Sequence, residues 1–336
     1  MNVFSDKIVL VTGGTGSFGQ AFVKHVLQHN PPRALRIFSR DELKQWQMAE
    51  DLKNHPNAGV LRFFLGDIRD KQRLTRAFEG VDIVVHAAAM KQVPASEYNP
   101  FEAIKTNVIG STNVIDACLD NNIAKVVALS TDKASLPINL YGATKLCADK
   151  LFIQANNYAG PRRTRFSVVR YGNVIGSRGS VIPVFAAQAK TGKLSITHKD
   201  MTRFWMSVDE AIDLVVTSLK IMQGGELFVP KIPSMKVVDL AKAIAPKAEL
   251  EEIGIRSGEK LHESLICADE ALNTFDLGDR FIIAPFNLSG WDDEYILYSQ
   301  KKSVPNTFSY TSDNNPNQIS ISDMRKRLIQ LGYIKP

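Results

Sequence analysis

The sequence has little cysteine and lacks several patterns that would point to particular functions. Three of its 336 residues are cysteines, Cys118, Cys147 and Cys267, and none forms a Cys-x-x-Cys pair. We therefore predict neither a disulfide framework nor a metal site. No apolar run approaches the roughly 18 residues of a membrane helix, and the first residues show no signal-peptide pattern. We expect a cytoplasmic protein with no membrane partner.

The sequence also lacks a concentrated block of charge. Its net charge is +6, but the basic residues are scattered and no aromatic-basic RNA motif is present. We expect no nucleic-acid partner, because an anionic small substrate or cofactor explains the surplus equally well. A hydrophobic content of 44% and a charged content of 23% are ordinary for a globular protein.

A glycine-rich turn follows the first apolar run, residues 7–11, and precedes helical sequence. Its glycines have G-x-x-G-x-x-G spacing, which permits a tight turn and lets backbone N–H groups approach a pyrophosphate at a helix N-terminus. A P-loop is excluded because no Gly-Lys-Ser/Thr follows. We predict a dinucleotide site whose first contacts are Gly13, Thr15, Gly16, Ser17, Phe18 and Gly19.

The end of the second predicted strand, residues 35–38, indicates which nicotinamide cofactor fits. An acidic residue there would accept hydrogen bonds from the ribose of NAD, whereas cationic and hydroxyl side chains suit the 2′-phosphate of NADP. The sequence has Ser39 and Arg40 at this point, and we predict NADP. The alternative, a solvated helix start capped by Asp41, is compatible with this prediction. The predicted contacts continue through Asp41, Glu42, Leu43 and Lys44.

Two further strands, residues 61–65 and 83–86, end in residues that can meet the same cofactor. Asp67 and Ile68 follow the first, and the Asp67 carboxylate suits an adenine amino group. Small alanines from Ala87 onward, before Lys91, allow close approach to a flat ring. We expect His86 to be a hydrogen-bonded histidine at a strand end and not a catalyst.

Proton-transfer groups cluster after the apolar run 126–129, which predicts a buried parallel strand. Thr131, Asp132 and Lys133 follow it directly, and Tyr141 and Lys145 share a helix face because they are four residues apart. A nearby lysine favours the phenolate and makes Tyr141 a base for a sugar or alcohol hydroxyl. Alone, such a pair is common on ordinary amphipathic helices.

Strand and helix patterns alternate five times by residue 158, which predicts an α/β fold with a doubly wound parallel sheet. We predict an NADP-binding Rossmann domain over residues 1–171, joined again by a helix and strand at about 208–230. A smaller substrate-binding lobe is predicted over 172–207 and 231–336, with a helix that contains His262 and Glu263. A long helix over 100–121 and the helix after Tyr141 are candidates for a homo-oligomer interface, in a dimer or hexamer.

These motifs together resemble the extended short-chain dehydrogenase/reductase superfamily and, within it, the inverting UDP-N-acetylglucosamine 4,6-dehydratases of pseudaminic acid biosynthesis. The resemblance runs nearly end to end. It is carried by Thr-Gly-Gly-x-Gly-x-x-Gly at 12–19, Ser-Thr-Asp-Lys at 130–133, Tyr-x-x-x-Lys at 141–145, Arg-Tyr-Gly-Asn-Val at 170–174, Met-Thr-Arg-Phe-Trp at 201–205 and Gly-Glu-Lys-Leu-His-Glu at 258–263. Retaining relatives have Thr-Asp-Glu where this chain has Thr131, Asp132 and Lys133.

The resemblance implies a lyase that oxidises C4 of the sugar, eliminates water across C5 and C6, and returns the hydride to C6 with inversion at C5. Asp132 would protonate the leaving hydroxyl, Lys133 would remove the C5 proton, and Thr131 would contact the 4-hydroxyl. Lys133 must be neutral to do so, and a pKa held near neutrality costs on the order of 4 kcal/mol. The nearby charge of Lys145 or Lys91 would help to supply that shift.

The resemblance also implies contacts to UDP-N-acetylglucosamine and, for the cofactor, a further contact from Val174. The substrate residues are Lys91, Asn173, Arg178, Val181, Arg256 and Glu259. Arginine forks match pyrophosphate oxygens, although each arginine has the alternative of a surface or carboxylate-paired role. An epimerase or a bifunctional dehydratase/epimerase is the second reading, and a non-enzymatic NADP-binding module is the third.

Overall fold

The computed structural model describes residues 3–177, 179–285 and 302–335, and its first half alternates strand and helix as predicted. The strands are β1 (Ile8–Thr12), β2 (Ala34–Ser39), β3 (Leu61–Leu65), β4 (Ile83–His86), β5 (Lys125–Thr131) and β6 (Arg165–Tyr171). The helices are α1 (Ser17–His29), α2 (Glu42–Leu52), α3 (Lys71–Phe78), α4 (Val93–Tyr98), α5 (Pro100–Ile104), α6 (Gly110–Asp120) and α7 (Leu140–Ala159).

These strands form the parallel part of one large sheet. Its order is β3-β2-β1-β4-β5-β6, and β10 (Leu227–Pro230) continues it beside β6, also parallel. The central strands β1, β4 and β5 consist largely of fully buried valine, leucine and isoleucine, as expected when helices cover both faces of a sheet. The predicted doubly wound α/β fold is confirmed. The chain also returns to the sheet after α9 (Val208–Ile221), where β10 lies beside β6.

The helix predicted over residues 100–121 is continuous but contains a π-helical turn. Lys105–Ile109 form this turn between α5 and α6. Asn107 lies in it, and its side chain bonds both the N–H and the C=O of Met90 and donates to the Thr144 hydroxyl. The turn thereby connects the loop after β4 to α7, and π turns of this kind are frequent at functional sites.

A second apolar core lies outside the large sheet and contains Ile182, Trp205, Leu240 and Leu328. It supports the smaller lobe. The strands outside the large sheet are β7 (Asn173–Val174), β8 (Lys193–Ile196), β9 (Thr202–Met206), β11 (Ser234–Lys236), β12 (Glu249–Glu252), β13 (Ser264–Ile266) and β17 (Tyr310–Thr311). The remaining helices are α8 (Val181–Gln188), α10 (Val237–Ile244) and α11 (Ile321–Gln330).

Two parts of the predicted lobe differ from expectation. The strands β14 (Thr274–Asp276), β15 (Arg280–Ile283) and β16 (Lys302–Ser303) join the large sheet, because β15 pairs antiparallel with β10 and gives it a further neighbour. The predicted helix containing His262 and Glu263 is absent from the structure. Those residues belong to an irregular connection that runs from a turn at Gly258 through a bend at His262 to β13. Among the described residues, none of the helices combines the length and apolar composition needed to cross a bilayer.

Candidate active site

The residues after β5 form a short, hydrogen-bonded turn at the carboxyl edge of the sheet. Asp132 begins a single 3₁₀ turn, Asp132–Ala134, and the Thr131 hydroxyl donates to Asp132 Oδ1 at 3.0 Å. The Lys133 backbone N–H donates to the same hydroxyl. Lys133 Nζ lies 3.0 Å from Asp132 Oδ1, so the two predicted catalytic groups are in direct contact.

A second carboxylate contacts Lys133 from the loop before β13. Glu263 Oε1 lies 3.2 Å from Lys133 Nζ, and both Glu263 and Asp132 are almost completely buried. The sequence pattern around Glu263 indicates a helix and predicts no role for its carboxylate. The amine of Lys133 therefore lies between two buried carboxylates.

This arrangement determines the charges of the three groups. Burial raises the pKa of Asp132 above its usual range, and Lys133 only partly offsets that effect. Burial acts to lower the pKa of Lys133, but the charges of Asp132 and Glu263 outweigh it and raise that pKa. The prediction of a Lys133 pKa near neutrality is wrong for this geometry, because its nearest charged neighbours are anions and not Lys145 or Lys91.

Tyr141 and Lys145 lie in the first turns of α7, as predicted. Asn139 caps this helix by accepting from the Gly142 N–H at 2.8 Å. Lys145 is buried and donates from Nζ to the Leu129 carbonyl at 2.7 Å, and burial lowers its pKa. Burial raises the pKa of Tyr141 to about 12, opposed mainly by the charge of Lys133 and by a hydrogen bond with Thr131. The expected lowering of the phenol pKa by Lys145 is therefore not found.

The glycine-rich loop between β1 and α1 has the close backbone packing that a dinucleotide cradle requires. Gly13 has φ +67°, and a Cβ there would lie 2.8 Å from the Ala88 nitrogen. A Cβ at Gly19 would lie 2.5 Å from the Gly13 carbonyl oxygen. The residues Thr15, Gly16, Ser17 and Phe18 run from this turn into the start of α1, and Ala87 flanks it. The loop therefore fits a bound pyrophosphate at the helix N-terminus.

The residues predicted around the 2′-phosphate lie at the ends of β2 and β3. Asp41 caps α2 by accepting from the Lys44 N–H, and it also pairs with the Lys44 ammonium, so Glu42 and Leu43 form the first turn of that helix. Arg40 is exposed and lies 3.8 Å from Asp67, whose carboxylate is paired more closely with Arg69 at 2.7 Å. Ser39 and Ile68 are buried beside them. Arg40 is therefore more available than Lys44 to contact a 2′-phosphate, because Lys44 is paired with Asp41.

The predicted substrate residues are distributed over the loop after β4 and the smaller lobe. Lys91 lies just after β4, and burial lowers its pKa. Asn173 and Val174 form β7, and Val181 begins α8. Arg256 is exposed in the loop after β12, and Arg178 lies outside the described residues.

One connection between these groups was missed by the sequence analysis. Arg203, in β9, is buried and lies 3.3 Å from Glu259 Oε1 and 3.8 Å from Glu263 Oε1. Its guanidinium also donates to the carbonyls of Lys260 and Leu261. Arg203 therefore links the loop predicted to bind substrate with the carboxylate that contacts Lys133.

Comparison with known proteins identifies the family. The polysaccharide biosynthesis protein family matches residues 9–285. The chain belongs to this family.

Relatives of this chain bear different names. A UDP-N-acetylglucosamine 4,6-dehydratase (inverting) from Campylobacter jejuni is 51% identical, covering 94% of this chain and 95% of the relative. A UDP-glucose 4-epimerase from Rickettsia conorii is 42% identical, covering 99% and 98%. The X-ray structure of Pen from Bacillus thuringiensis superposes with a TM-score of 0.88 at 39% identity, covering 98% and 99%. The resemblance indicated by the sequence motifs is confirmed.

Proposed function

We propose that this protein is an NADP-dependent, inverting UDP-N-acetylglucosamine 4,6-dehydratase. Its product would be UDP-2-acetamido-2,6-dideoxy-β-L-arabino-hex-4-ulose, which enters pseudaminic acid biosynthesis. The observation that carries the proposal is the contact of Lys133 Nζ with Asp132 Oδ1 at 3.0 Å, directly after β5. A base and an acid in contact suit the removal of a proton and a hydroxyl from neighbouring carbons. The cytoplasmic location remains a prediction.

The first step is removal of the proton of the sugar 4-hydroxyl by Tyr141. The glycine-rich loop between β1 and α1 would hold NADP, which would supply the acceptor for the C4 hydride and give that hydride back to C6. A proton from solvent would then add to C5 from the opposite face, so no net oxidation would occur. The Thr131 hydroxyl, which bonds both Asp132 and Tyr141, would orient the 4-hydroxyl. As the phenol pKa is raised to about 12, Tyr141 depends on the positive charge of Lys133 to become a phenolate.

The second step is elimination, and it requires a neutral amine and a protonated carboxyl group. Transfer of one proton from Lys133 Nζ to Asp132 Oδ1 produces both groups at once. The raised pKa of Asp132 favours this transfer, whereas the carboxylates that raise the pKa of Lys133 oppose it, so the neutral form is a minor state from which elimination proceeds. Lys133 then takes the C5 proton, made acidic by the C4 ketone, while Asp132 gives its proton to the C6 hydroxyl, which leaves as water. The pair thereby returns to ammonium and carboxylate.

The substrate would lie between the sheet edge and the smaller lobe. Lys91, Asn173, Arg178, Val181, Arg256 and Glu259 are the proposed contacts to the nucleotide sugar. The linkage of Glu259 to Glu263 through Arg203 supports this choice, because it connects the proposed binding loop to the reacting groups.

A UDP-sugar epimerase is the second candidate, since a relative of nearly equal length is named a UDP-glucose 4-epimerase. Epimerisation at C4 needs no acid at the C6 hydroxyl, so it would give the buried Asp132 no catalytic role. We therefore rank it below dehydration.

We also propose a homo-oligomer, a dimer or hexamer, built on the helices after β4. Tyr98 is 88% exposed and Phe101 is 74% exposed, and Ile104 and Ile109 extend this apolar strip along α5 and the π turn. Exposed apolar side chains in a continuous group are typical of contact surfaces. Sedimentation of the purified chain at several concentrations tests this point.

Incubation of the purified protein with NADP and UDP-N-acetylglucosamine in heavy water tests the function. We expect a 4-keto-6-deoxy product by proton NMR, with deuterium at C5 and the L-arabino configuration. A C4 epimer that retains its C6 oxygen would establish the epimerase instead. Retention of the D configuration at C5 would contradict the inverting assignment.

A further inference from the structure

Glu263 reaches the proposed base from a different part of the chain than Asp132 does. Asp132 immediately precedes Lys133, whereas Glu263 lies 130 positions after Lys133, immediately before β13. Its Oε1 is 3.2 Å from Lys133 Nζ, and its side chain is 2% exposed. A buried carboxylate that close must influence both the position and the charge of the amine.

The backbone of Glu263 is fixed on both sides. Its N–H donates to the Ser312 hydroxyl at 2.9 Å, and its carbonyl accepts from the Ser312 N–H at 2.8 Å. Such double anchoring holds a side chain in place without relying on its own contacts. The carboxylate is therefore preorganised toward Lys133.

Two cations also face Glu263 and moderate its charge. Arg203 Nε lies 3.8 Å from Oε1, and Lys260 Nζ lies 3.8 Å from Oε2. Lys260 is itself held by the Ser135 carbonyl at 2.6 Å. Burial acts to raise the pKa of Glu263, but the charges of Lys133, Arg203 and Lys260 outweigh it and lower that pKa, so the carboxylate stays ionised. Among the described residues, Asp132 is the anion on the other side of the Lys133 amine.

We propose that Glu263 is a positioning residue that orients Lys133 beside Asp132 and stabilises the positive charge that develops on Nζ as Lys133 takes the C5 proton. The inference rests on the proposed dehydratase function. It goes beyond that function because it assigns a role in base strength to a residue of the smaller lobe. An anion that stabilises the charge developing in the transition state lowers the barrier to proton transfer. It does not tighten the binding of the substrate in the ground state.

The variant Glu263→Gln keeps the shape of the side chain and removes its charge. We expect kcat to fall by roughly tenfold or more, with KM within about twofold of the wild-type value. Because the lost anion favoured the ammonium, the pKa of Lys133 falls, and the rising limb of kcat against pH should move to lower pH by about one unit or more.

The variant Lys260→Gln removes a cation from the other side of Glu263 and should move the same limb to higher pH. Glu249→Gln, in β12 and paired with Lys193 on the surface, is the matched control and should leave kcat and the pH profile unchanged. Opposite shifts for two neighbouring variants would not arise from a general loss of stability.

Labelling of Lys133 with an amine reagent, followed by mass spectrometry, measures the change in the pKa of Lys133 independently of catalysis. At a fixed pH the labelling rate follows the neutral fraction of the amine, so Glu263→Gln should increase it by roughly tenfold. A wild-type protein that forms no 4-keto product would overturn the proposed function. An unchanged labelling rate in folded Glu263→Gln would overturn the role of Glu263. If Glu263→Gln does not fold, an unchanged labelling rate in Lys260→Gln would overturn it instead.

Discussion

Gly142, in the first turn of α7, lies against the backbone of Lys133. A Cβ added at position 142 would come within 2.2 Å of the Lys133 carbonyl oxygen. The start of the helix that carries Tyr141 is thus packed directly on the turn that carries the proposed acid and base. The relative positions of these groups depend on the absence of a side chain at this point.

We predict that Gly142→Ala separates these two segments. Either α7 or the 3₁₀ turn must shift, at a cost of about 1–3 kcal/mol in the free energy of unfolding, and a displacement of this size should lower kcat by roughly 100-fold. Chemical denaturation and steady-state kinetics measure both effects. Gly59→Ala is the control, since a Cβ there meets nothing within 4 Å, and it should change neither quantity. Wild-type kcat in Gly142→Ala would show that the packing does not position the site.

The second prediction concerns Asp132→Asn. An amide cannot protonate the C6 hydroxyl or accept the proton of Lys133, so product formation should fall by roughly 100-fold or more. Oxidation at C4 needs neither event, and reduced cofactor should therefore accumulate on the enzyme and be visible by its absorbance. Asp120→Asn, at the exposed end of α6, is the matched control. Undiminished product from Asp132→Asn would remove Asp132 from the mechanism.

Cofactor preference is tested at Arg40, which is exposed beside the predicted 2′-phosphate position. A charge-assisted hydrogen bond contributes about 1.5–3 kcal/mol, so Arg40→Ala should weaken NADP binding by roughly 10- to 100-fold and change NAD binding little. Titration calorimetry with both cofactors measures the two constants. Arg62→Ala is the control, because Arg62 bonds only the carbonyls of Gly59 and Leu61 among the described residues. Equal losses for NAD and NADP would argue against NADP specificity.

The sequence predicted the first five strands and the glycine loop because these features are local. A buried parallel strand is an apolar run of strand length, and a cradle for pyrophosphate needs glycines at fixed spacing. The adjacency of Asp132 and Lys133 was equally accessible, although the contact between their side chains was not predicted. These parts of the site required no knowledge of the smaller lobe.

Glu263 was missed because its role depends on a contact between distant parts of the chain. The sequence around it contains charged residues at intervals that also suit a helix, and nothing in that pattern reveals an irregular connection whose backbone bonds to Ser312. The pKa of Lys133 was predicted wrongly for the same reason, namely that it depends on a contact between distant parts of the chain. Its charge depends on Asp132 and Glu263 together, and only the folded chain brings both carboxylates to the amine.

The last prediction concerns acid stability and His86, at the end of β4. His86 Nδ1 lies 2.8 Å from the Thr12 hydroxyl, as expected for a hydrogen-bonded strand-end histidine. Burial, together with the charge of Lys145, lowers its pKa to about 3. The unfolded chain has a histidine pKa of about 6.5, so below that pH the unfolded state binds a proton that the folded state does not. The contribution of His86 is therefore fully present above about pH 6.5 and is lost progressively as the pH falls toward 3.

Lowering the pH from 7.5 to 5 should cost about 2 kcal/mol of folding free energy through His86 alone. The variant His86→Asn retains a polar partner for Thr12 but does not titrate, so its loss over the same interval should be smaller by that amount. Urea denaturation at the two pH values, in wild type and variant, measures the difference. His29→Gln, exposed on α1, should show the wild-type pH dependence. Equal losses in His86→Asn and wild type would contradict this prediction. They would mean that the folded protein accepts a proton on His86 despite its burial and the nearby charge of Lys145.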